Sequence, residues 1–190
     1  MAVLTIFAGP NGSGKSSIIR RIDFVGRDNL LEADAIATRI RASSPQLAAI
    51  MAGREVLRRT QEYVASGQDF AIETTLSGIW TTRAINQALM LGFFVRLVYI
   101  CLDSAEKSIQ RVHERVAQGG HDVPDDDVRR RYARSLSNAK KVLSLVHETI
   151  IYDNSGPEPT LIVEIRSGRV VTKASELPLW ASELIQEILP

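Results

Sequence analysis

The sequence predicts an α/β fold in which a mainly parallel sheet is flanked by helices, and three observations lead to this prediction. Apolar runs of strand length alternate along the chain with segments of helical periodicity, as in β-α-β units. The first apolar run, Val3–Ala8, leads into a glycine-rich loop and then a helical segment. The last part of the chain loses this alternation. We therefore expect a five-stranded parallel core sheet, followed by a C-terminal β-hairpin and a helix.

Each predicted core strand is a short apolar run that ends at polar or turn-forming residues. The second run is closed by Asp34, and the fifth leads into Asp153 and Asn154. Because strands that are separated by helical segments form parallel sheets, we expect these runs to lie side by side. The predicted strands cover residues 3–8, 30–33, 70–74, 94–102 and 149–152.

The predicted helices are marked by helical spacing of apolar residues and by terminal signals. Pro45 begins a long helix that ends near Gly67, and Gly119-Gly120 ends another. Acidic residues after Pro124 favour the start of the next helix because they lie at the positive end of its dipole. The predicted helices cover residues 15–20, 35 onward, 45–67, 81–91, 105–117, 124–146 and 179–188.

The C-terminal part is predicted to extend the core rather than to form a separate unit. Two short runs, at 161–165 and 169–172, are joined through Ser167-Gly168, which is typical of a β-hairpin. No low-complexity linker precedes them. We therefore expect one domain over residues 1–190, with a core of about residues 1–156 and an extension of about residues 157–190.

The bulk composition is that of an ordinary globular protein, with 190 residues, 45% hydrophobic residues, 24% charged residues and a formal net charge of +1. This charge gives no general attraction to nucleic acid or to an anionic membrane. No apolar stretch approaches the length of a membrane span, and the first residues predict a strand rather than a signal peptide. Cys101 is the single cysteine, so neither a disulfide nor a cysteine zinc site is expected. We expect a cytoplasmic protein with no membrane partner.

Residues 9–16 read G-P-N-G-S-G-K-S, which is the G-x-x-x-x-G-K-[ST] pattern of a phosphate-binding loop (P-loop). The glycines let backbone N–H groups point at a phosphate chain, and the following helix adds the positive end of its dipole. Lys15 is expected to reach the β- and γ-phosphates of ATP, and the Ser16 hydroxyl to ligate Mg²⁺. The predicted cofactor-binding residues are Gly9, Pro10, Asn11, Gly12, Ser13, Gly14, Lys15, Ser16, Ser17 and, on an adenine-side loop after the fifth strand, Asn154.

Asp34 follows the second predicted strand, at the sheet edge where ligands bind in α/β folds. There it is a candidate to accept a proton from a substrate hydroxyl, or to hold Mg²⁺ through water. The alternative is structural, because Asp is a common N-cap and a helix is predicted from Ala35. The two interpretations are compatible.

Glu73 ends an otherwise apolar strand and is followed by Thr74 and Thr75. A carboxylate on a buried strand requires a partner, because its desolvation is otherwise costly. Binding of Mg²⁺ or of a substrate hydroxyl would supply that partner, with the two threonines beside it. Pairing with a nearby arginine is the structural alternative.

A basic cluster spans two predicted helices and the glycine-rich turn between them. Such an arrangement resembles the lid of a small kinase, whose arginines close over the phosphates and neutralise charge in the transition state. His121, in the turn, is a candidate for substrate contact. The alternative is a solvated basic face paired with the acidic residues at 125–127. The cluster contains Arg111, Arg115, Arg129, Arg130, Arg131 and Arg134.

These segments together resemble the zeta toxin family of P-loop kinases, especially its short stand-alone members. The matching segments follow the family's order over about residues 1–156, and the hairpin and last helix lie outside them. They are G-P-N-G-S-G-K-S at 9–16, E-A-D-A-I-A at 32–37, I-E-T-T-L-S-G at 72–78, G-G-H-D-V-P at 119–124, R-R-Y-A-R-S-L at 130–136 and Y-D-N-S-G at 152–156.

The resemblance implies an ATP- and Mg²⁺-dependent phosphotransferase with Asp34 as the general base. It implies that Glu73 and its threonines shape the acceptor site. It also implies that Arg115, Arg131 and Arg134 contact the triphosphate. Members of the family phosphorylate a hydroxyl of UDP-N-acetylglucosamine and are inhibited by a small helical antitoxin. The acceptor and the antitoxin are therefore expectations that come from the resemblance alone.

Other functions of a P-loop protein remain open at this point. A GTPase is disfavoured because residues 138–141 read N-A-K-K rather than N-K-x-D. A P-loop ATPase without small-molecule kinase activity, and a kinase for another small alcohol, are alternatives. A polynucleotide kinase is disfavoured by the near-neutral net charge, and nucleic acid is not expected as a partner.

Overall fold

The computed structural model describes residues 1–186 and contains one seven-stranded sheet. The strands are β1 (Val3–Ala8), β2 (Leu30–Leu31), β3 (Phe70–Thr74), β4 (Phe94–Cys101), β5 (Glu148–Asp153), β6 (Thr160–Arg166) and β7 (Arg169–Lys173). Their spatial order is β2-β3-β1-β4-β5-β6-β7. The first five strands pair in parallel, and the last two add antiparallel strands at one edge. The predicted α/β fold with a five-stranded parallel core and a C-terminal hairpin is confirmed.

Seven helices connect or follow these strands in the described part of the chain. Ser44 caps the third by accepting a hydrogen bond from the Leu47 amide at 3.2 Å, and Gly67 ends it with φ 64°. No helix within residues 1–186 has the length and apolar composition to cross a membrane. The helices are α1 (Lys15–Arg21), α2 (Ala33–Ala37), α3 (Pro45–Ser66), α4 (Trp80–Met90), α5 (Ala105–Ala117), α6 (Asp125–Leu143) and α7 (Leu179–Ile185), with a short 3-10 helix at Arg27–Asn29.

The segment after β1 and α1 differs in detail from the prediction. β2 contains only Leu30–Leu31, and the helix begins at Ala33 rather than at Ala35. Glu32 occupies the N-cap position, so the interpretation of Asp34 as the N-cap is wrong. Asp34 lies in the first turn, where its charge is favourable for the helix dipole. The alanines of α2 have high helix propensity, which explains why the strand ends so early.

Both faces of the sheet are buried, as expected for parallel strands. Side chains of β1 alternate between the two faces: Leu4 and Ile6 join the main core, whereas Phe7 packs with Ile18 and Ile19 of α1. β1 is therefore an interior strand of the sheet, paired with β3 on one side and with β4 on the other. The loop that follows β1 is therefore held at the carboxyl edge of the strands, between the ends of two neighbouring strands.

The C-terminal extension joins the same sheet and the same core. β6 pairs with β5, with Val163 opposite Ile151, and β7 pairs with β6. Trp180 of α7 is buried, and its ring centroid lies 6.3 Å from that of Tyr99 on β4. The last helix is described to Ile185, so the predicted continuation to residue 188 lies outside the described residues.

Candidate functional site

The P-loop packs between the carboxyl ends of β3 and β4. The Gly9 amide donates a hydrogen bond to the carbonyl oxygen of Thr74 at 3.2 Å. A Cβ atom added at Gly9 would lie 1.9 Å from the Ile100 carbonyl oxygen, and φ of Gly9 is 149°. Only glycine fits this close approach of two backbones. The loop is thus anchored to the strands on both sides of β1.

Lys15 begins α1 and folds back over the loop. Its Nζ donates hydrogen bonds to the carbonyl oxygens of Gly9 at 3.0 Å and Pro10 at 3.1 Å. The same atom lies 3.7 Å from Oε1 of Glu73. The lysine is buried, with 7% of its surface exposed. Two carbonyl dipoles and one carboxylate thus stabilise the positive charge of Lys15 inside the loop.

The electrostatics of Lys15 show which charged groups surround it. Burial lowers the pKa of its ammonium group, and the negative charges of Glu73 and Asp34 act in the opposite direction. The positive charge of Arg115, on α5, reinforces the lowering. The fold therefore brings together four predicted site residues that come from α1, α2, β3 and α5.

The side chains of Ser16 and Glu73 form a polar surface beside Lys15. The Ser16 hydroxyl donates a hydrogen bond to Oε2 of Glu73 at 3.3 Å, and both side chains are partly exposed. Glu73 thus contacts Lys15 with one carboxylate oxygen and Ser16 with the other. The structure gives Glu73 a lysine and a serine as partners, instead of the arginine of the structural alternative.

Glu32 is a site residue that the sequence reasoning missed. Burial, a hydrogen bond to the Glu73 carboxylate and the charge of Glu73 raise the pKa of Glu32 to about 7, and nearby Arg20 partly offsets this. The charge of one carboxylate disfavours ionisation of a second carboxyl group in contact with it, which keeps the proton on Glu32. The signal was present in the sequence, since Glu32 ends an apolar run just as Glu73 does.

Asp34 is solvent-exposed at the rim of this cluster. Its negative charge acts on both Lys15 and Glu32, where it raises the pKa of each group.

Thr74 and Thr75 differ in how their hydroxyls are used. Oγ1 of Thr74 is buried, accepts a hydrogen bond from the Leu76 amide at 3.1 Å and lies 3.3 Å from Oγ1 of Thr81. Oγ1 of Thr75 is half-buried and lies 2.8 Å from Oγ of Ser77. The structure therefore commits Thr74 to internal contacts and leaves Thr75 at the edge of the site.

The arginines and the histidine of the predicted lid differ in the contacts that they make. Nη2 of Arg115 donates to the His121 carbonyl oxygen at 2.7 Å, and its Nε is buried with no hydrogen-bond partner among the described residues. Arg131 lies 3.8 Å from the Asp127 carboxylate. Arg134 is exposed and forms no ion pair with any residue in 1–186. The side chain of His121 is exposed. The hydrogen bond between His121 and Arg115 involves the carbonyl group of His121 and not its imidazole ring.

Asn154 lies under the P-loop. Its Nδ2 donates to the Ser13 carbonyl oxygen at 2.9 Å, and its backbone amide donates to the Cys101 carbonyl oxygen at 2.9 Å. A Cβ atom added at Gly14, whose φ is 90°, would lie 2.2 Å from this Nδ2. The side-chain amide nitrogen of Asn154, directly after β5, is therefore engaged by the backbone of the P-loop.

The oxygen donors of the site suit a small hard cation. Ser16 Oγ and the Glu73 carboxylate are adjacent and partly exposed, and such oxygens are the ligands that Mg²⁺ takes in proteins. Among residues 1–186, no group of three or more His, Cys, Asp and Glu side chains is arranged to hold a metal ion. A protein site for Mg²⁺ often has one or two side chains, with phosphates and water completing it.

Comparisons with known proteins identify a family and a relative of this chain. Residues 4–137 match the AAA domain family. An uncharacterized protein of Haemophilus influenzae is 34% identical over 126 residues, which are 66% of this chain and 89% of that protein.

Two solved structures share the fold. A chain of the AvrRxo1-ORF1:-ORF2 complex, in a crystal structure with ATP, superimposes with a TM-score of 0.69 and 16% identity, covering 98% of this chain and 63% of its own length. A chain of the PezAT chromosomal toxin–antitoxin system of Streptococcus pneumoniae superimposes with a TM-score of 0.59 and 16% identity, covering 98% of this chain and 84% of its own length. The resemblance to the zeta toxin family of P-loop kinases that the sequence predicts is confirmed at the level of the fold.

Proposed function

Because the chain belongs to the AAA domain family, we propose that it binds ATP at the P-loop and transfers the γ-phosphoryl group to a hydroxyl of a small molecule. One observation supports this proposal above the others. The acidic residues Glu73 and Asp34 act on the same buried lysine, Lys15, at the loop that would hold the phosphates. A site for phosphate binding and a site for proton acceptance would thus adjoin each other.

Lys15 would bind the β- and γ-phosphates of ATP. Its ammonium group already lies inside the loop, held by the carbonyl oxygens of Gly9 and Pro10. Phosphate oxygens would replace these acceptors, because a negatively charged oxygen attracts the ammonium group more strongly than a neutral carbonyl oxygen does. Backbone N–H groups of residues 11, 12 and 14–16 would bind the remaining phosphate oxygens.

Asp34 would be the general base. Its exposed carboxylate would accept the proton of the acceptor hydroxyl while that oxygen forms a bond to the γ-phosphorus. The bond from the γ-phosphorus to the β–γ bridging oxygen breaks, and ADP leaves with that oxygen. Glu73 would orient the Ser16 hydroxyl and Lys15 through the contacts that it already makes.

Mg²⁺ would be held by Ser16 Oγ, with Glu73 and Asp34 contributing through water. When bound, the ion would neutralise charge on the phosphate oxygens during transfer. Because the Ser16 hydroxyl donates its proton to Glu73, the lone pairs of the serine oxygen would stay available on the side of the phosphates.

The lid arginines would stabilise the charge that develops in the transition state. Arg115 is the best placed of these, because its charge already acts on Lys15 and its Nε is buried without a partner among the described residues. Arg131 and Arg134 would join it when the turn between α5 and α6 closes over the nucleotide. His121, in that turn, would approach the substrate at the same time.

For the acceptor we propose UDP-N-acetylglucosamine as the first compound to test, with other small alcohols as the alternative. Thr75 and Glu73 would contact the acceptor hydroxyl. We also propose an antitoxin-like partner protein, because the PezAT neighbour comes from a toxin–antitoxin system. The whole activity would belong to a single P-loop kinase domain over residues 1–190, acting in the cytoplasm.

The acceptor can be found by incubating the protein with ATP, Mg²⁺ and a panel of compounds, and measuring ADP together with the mass of each compound. The panel should hold UDP-N-acetylglucosamine, amino alcohols, simple sugars and a short 5′-hydroxyl oligonucleotide. A mass increase of one phosphate on a small alcohol supports the proposal. ADP formed at the same rate without any phosphorylated compound would indicate an ATPase, and transfer to the oligonucleotide alone would indicate a polynucleotide kinase.

A further inference from the structure

The segment that follows β3 contains an unusual backbone conformation. Leu76 has φ 55°, in the left-handed region that non-glycine residues rarely adopt, and its side chain is fully buried. Such a conformation persists only where the surrounding structure holds it in place, and it occurs preferentially at functional sites. The residues that hold Leu76 are therefore informative about the function of this segment.

Hydrogen bonds on both sides of Leu76 hold it in this conformation. Its amide donates to Oγ1 of Thr74 at 3.1 Å, and its carbonyl oxygen accepts a hydrogen bond from Nδ2 of Asn138 at 2.8 Å. Asn138 lies on α6, 62 positions away in the sequence. The Thr74 carbonyl oxygen in turn accepts the Gly9 amide of the P-loop at 3.2 Å. The segment is thus fixed between the P-loop and α6.

The left-handed residue brings its two neighbours together. Oγ1 of Thr75 and Oγ of Ser77 lie 2.8 Å apart, and both side chains are half-buried beside the strand end that carries Glu73. In an extended strand, residues two apart point the same way but are separated by two residue rises, so their hydroxyls would not meet at this distance. The reversal at Leu76 therefore creates a pair of adjacent hydroxyls, two and four residues after Glu73 in the chain.

We propose that Thr75 and Ser77 form a subsite that binds a hydroxyl group of the acceptor, and that Asn138 is the positioning residue that keeps this pair in place. The proposal rests on the proposed phosphotransferase function. A hydroxyl pair can donate one hydrogen bond and accept another, which suits an alcohol, because an alcohol is itself both a donor and an acceptor. Ser77 contacts the acceptor, whereas Asn138 acts only through Leu76.

The position of Asn138 on α6 gives this contact a second consequence. Asn138 follows Arg131 by seven residues and Arg134 by four, so the three side chains lie along one side of the helix. The helix that carries two lid arginines thus also holds the acceptor segment. Movement of α6 on nucleotide binding would be transmitted to the Thr75–Ser77 pair through one hydrogen bond.

The positioning role is tested first by amide hydrogen exchange of residues 74–79 in Asn138→Ala. The matched control is Ser135→Ala, which removes another α6 hydrogen bond, the 3.1 Å contact between Ser135 Oγ and the Tyr99 hydroxyl in the core. We expect exchange in this segment to rise by about tenfold in Asn138→Ala and to stay at the wild-type rate in the control, because only the first variant frees Leu76. Equal exchange in both variants would overturn the positioning role.

The second test measures transfer from ATP to UDP-N-acetylglucosamine in Asn138→Ala, Thr75→Val and Ser77→Ala. We expect the KM of the acceptor to rise by about tenfold in each variant, while kcat and the Kd of ATP stay within about twofold, because the lost contacts bind the acceptor hydroxyl in ground and transition states alike. A merely structural role of Asn138 would raise the KM equally in Ser135→Ala. That result, or an unchanged KM in Ser77→Ala, would overturn the subsite.

The two tests separate failure of the inference from failure of the proposed function. If wild-type protein transfers no phosphate to UDP-N-acetylglucosamine, that acceptor is contradicted, and the variants are compared with the small alcohol of the panel that is phosphorylated. If no small alcohol is phosphorylated, the proposed function and the subsite that rests on it both fail, whereas the exchange experiment still decides whether Asn138 positions the segment. If transfer occurs but the acceptor KM is unchanged in all three variants, the phosphotransferase function stands and the subsite is overturned.

Discussion

The Ser16 hydroxyl donates a hydrogen bond to Oε2 of Glu73 at 3.3 Å, although the two residues are 57 positions apart in the chain. The contact joins the P-loop to the end of β3, and Glu73 completes it with a 3.7 Å approach to Lys15. These two partners of Glu73 explain why a carboxylate lies at the end of this strand. The carboxylate links the residue proposed to hold Mg²⁺ with the residue proposed to hold the phosphates.

Removal of the Lys15 side chain is expected to abolish ATP binding. In Lys15→Ala the phosphates lose their main cation, and Glu73 is left near them without its lysine partner. We expect the Kd of ATP to rise by at least about 100-fold, the loss of roughly two charge-assisted hydrogen bonds. Isothermal titration calorimetry measures this, and retained binding would show that the P-loop does not hold the nucleotide.

Neutralisation of Asp34 is expected to separate binding from transfer. In Asp34→Asn the Kd of ATP should stay within about twofold, because within residues 1–186 no hydrogen bond or ion pair joins the Asp34 side chain to the loop, whereas the transfer rate should fall by about 10²–10⁴. Asp28→Asn, in the exposed 3-10 helix, is the matched control and should retain full activity. An unchanged rate in Asp34→Asn would restrict Asp34 to the first turn of α2 as a structural residue.

Asn154 is expected to support ATP binding through the loop. In Asn154→Ala the Ser13 carbonyl oxygen loses its 2.9 Å hydrogen bond, which is worth about 1 kcal/mol, so the Kd of ATP should rise by roughly five- to tenfold. Asn86→Ala, exposed on α4, should leave it unchanged. A fluorescent ATP analogue measures both values. Wild-type affinity in Asn154→Ala would show that the loop keeps its shape without this contact.

The lid arginines should differ from their neighbour Arg130. Arg134 is exposed and forms no ion pair with the described residues, whereas Arg130 lies 2.8 Å from the Asp127 carboxylate. We expect kcat to fall by about 10²–10³ in Arg115→Ala and Arg134→Ala, as for arginines that stabilise a transferring phosphoryl group, and to stay near wild type in Arg130→Ala. Equal effects in all three variants would point to a general loss of positive charge.

The raised pKa of Glu32, about 7, predicts that stability decreases with pH. An unfolded Glu ionises near its ordinary value of about 4.5, whereas folded Glu32 keeps its proton to about 7. Between these values the folded state binds more protons, so the free energy of unfolding falls as pH rises, and it levels off above about pH 7.

The variant Glu32→Gln tests this dependence, because it keeps a hydrogen-bond donor for Glu73 and cannot ionise. We expect its Tm at pH 8 to exceed that of the wild type, with a flatter profile between pH 5 and pH 7. Glu106→Gln, exposed on α5, is the control and should follow the wild-type profile. A Glu32→Gln profile parallel to that of the wild type would mean that Glu32 ionises normally in the folded protein.

The local features of the fold were predictable from sequence because each has a local cause. The P-loop is a contiguous pattern, α3 has a capping serine and a terminating glycine, and the hairpin has its own turn. The length of β2 was not predictable. Leu30–Leu31 is an edge strand paired only with β3, and the helix propensity of the residues that follow decides where it ends.

The predicted site residues were found where a polar side chain interrupts an apolar run, as at Asp34 and Glu73. Contacts between distant segments leave no such signal. Nothing near Asn138 in the sequence indicates that it reaches Leu76, and nothing near Asn154 indicates that its amide reaches Ser13. Both contacts depend on how α6 and the end of β5 lie against the strands, which only the folded structure shows.

Transfer of label from γ-labelled ATP to UDP-N-acetylglucosamine, with Mg²⁺ present and Asp34→Asn as the paired control, tests the central claim most directly. The account predicts labelled sugar nucleotide with the wild-type protein and a loss of about 10²–10⁴ in the rate with Asp34→Asn, at equal ATP affinity. ATP bound by the wild-type protein with no label on this compound, or on any other small alcohol supplied in its place, would contradict it.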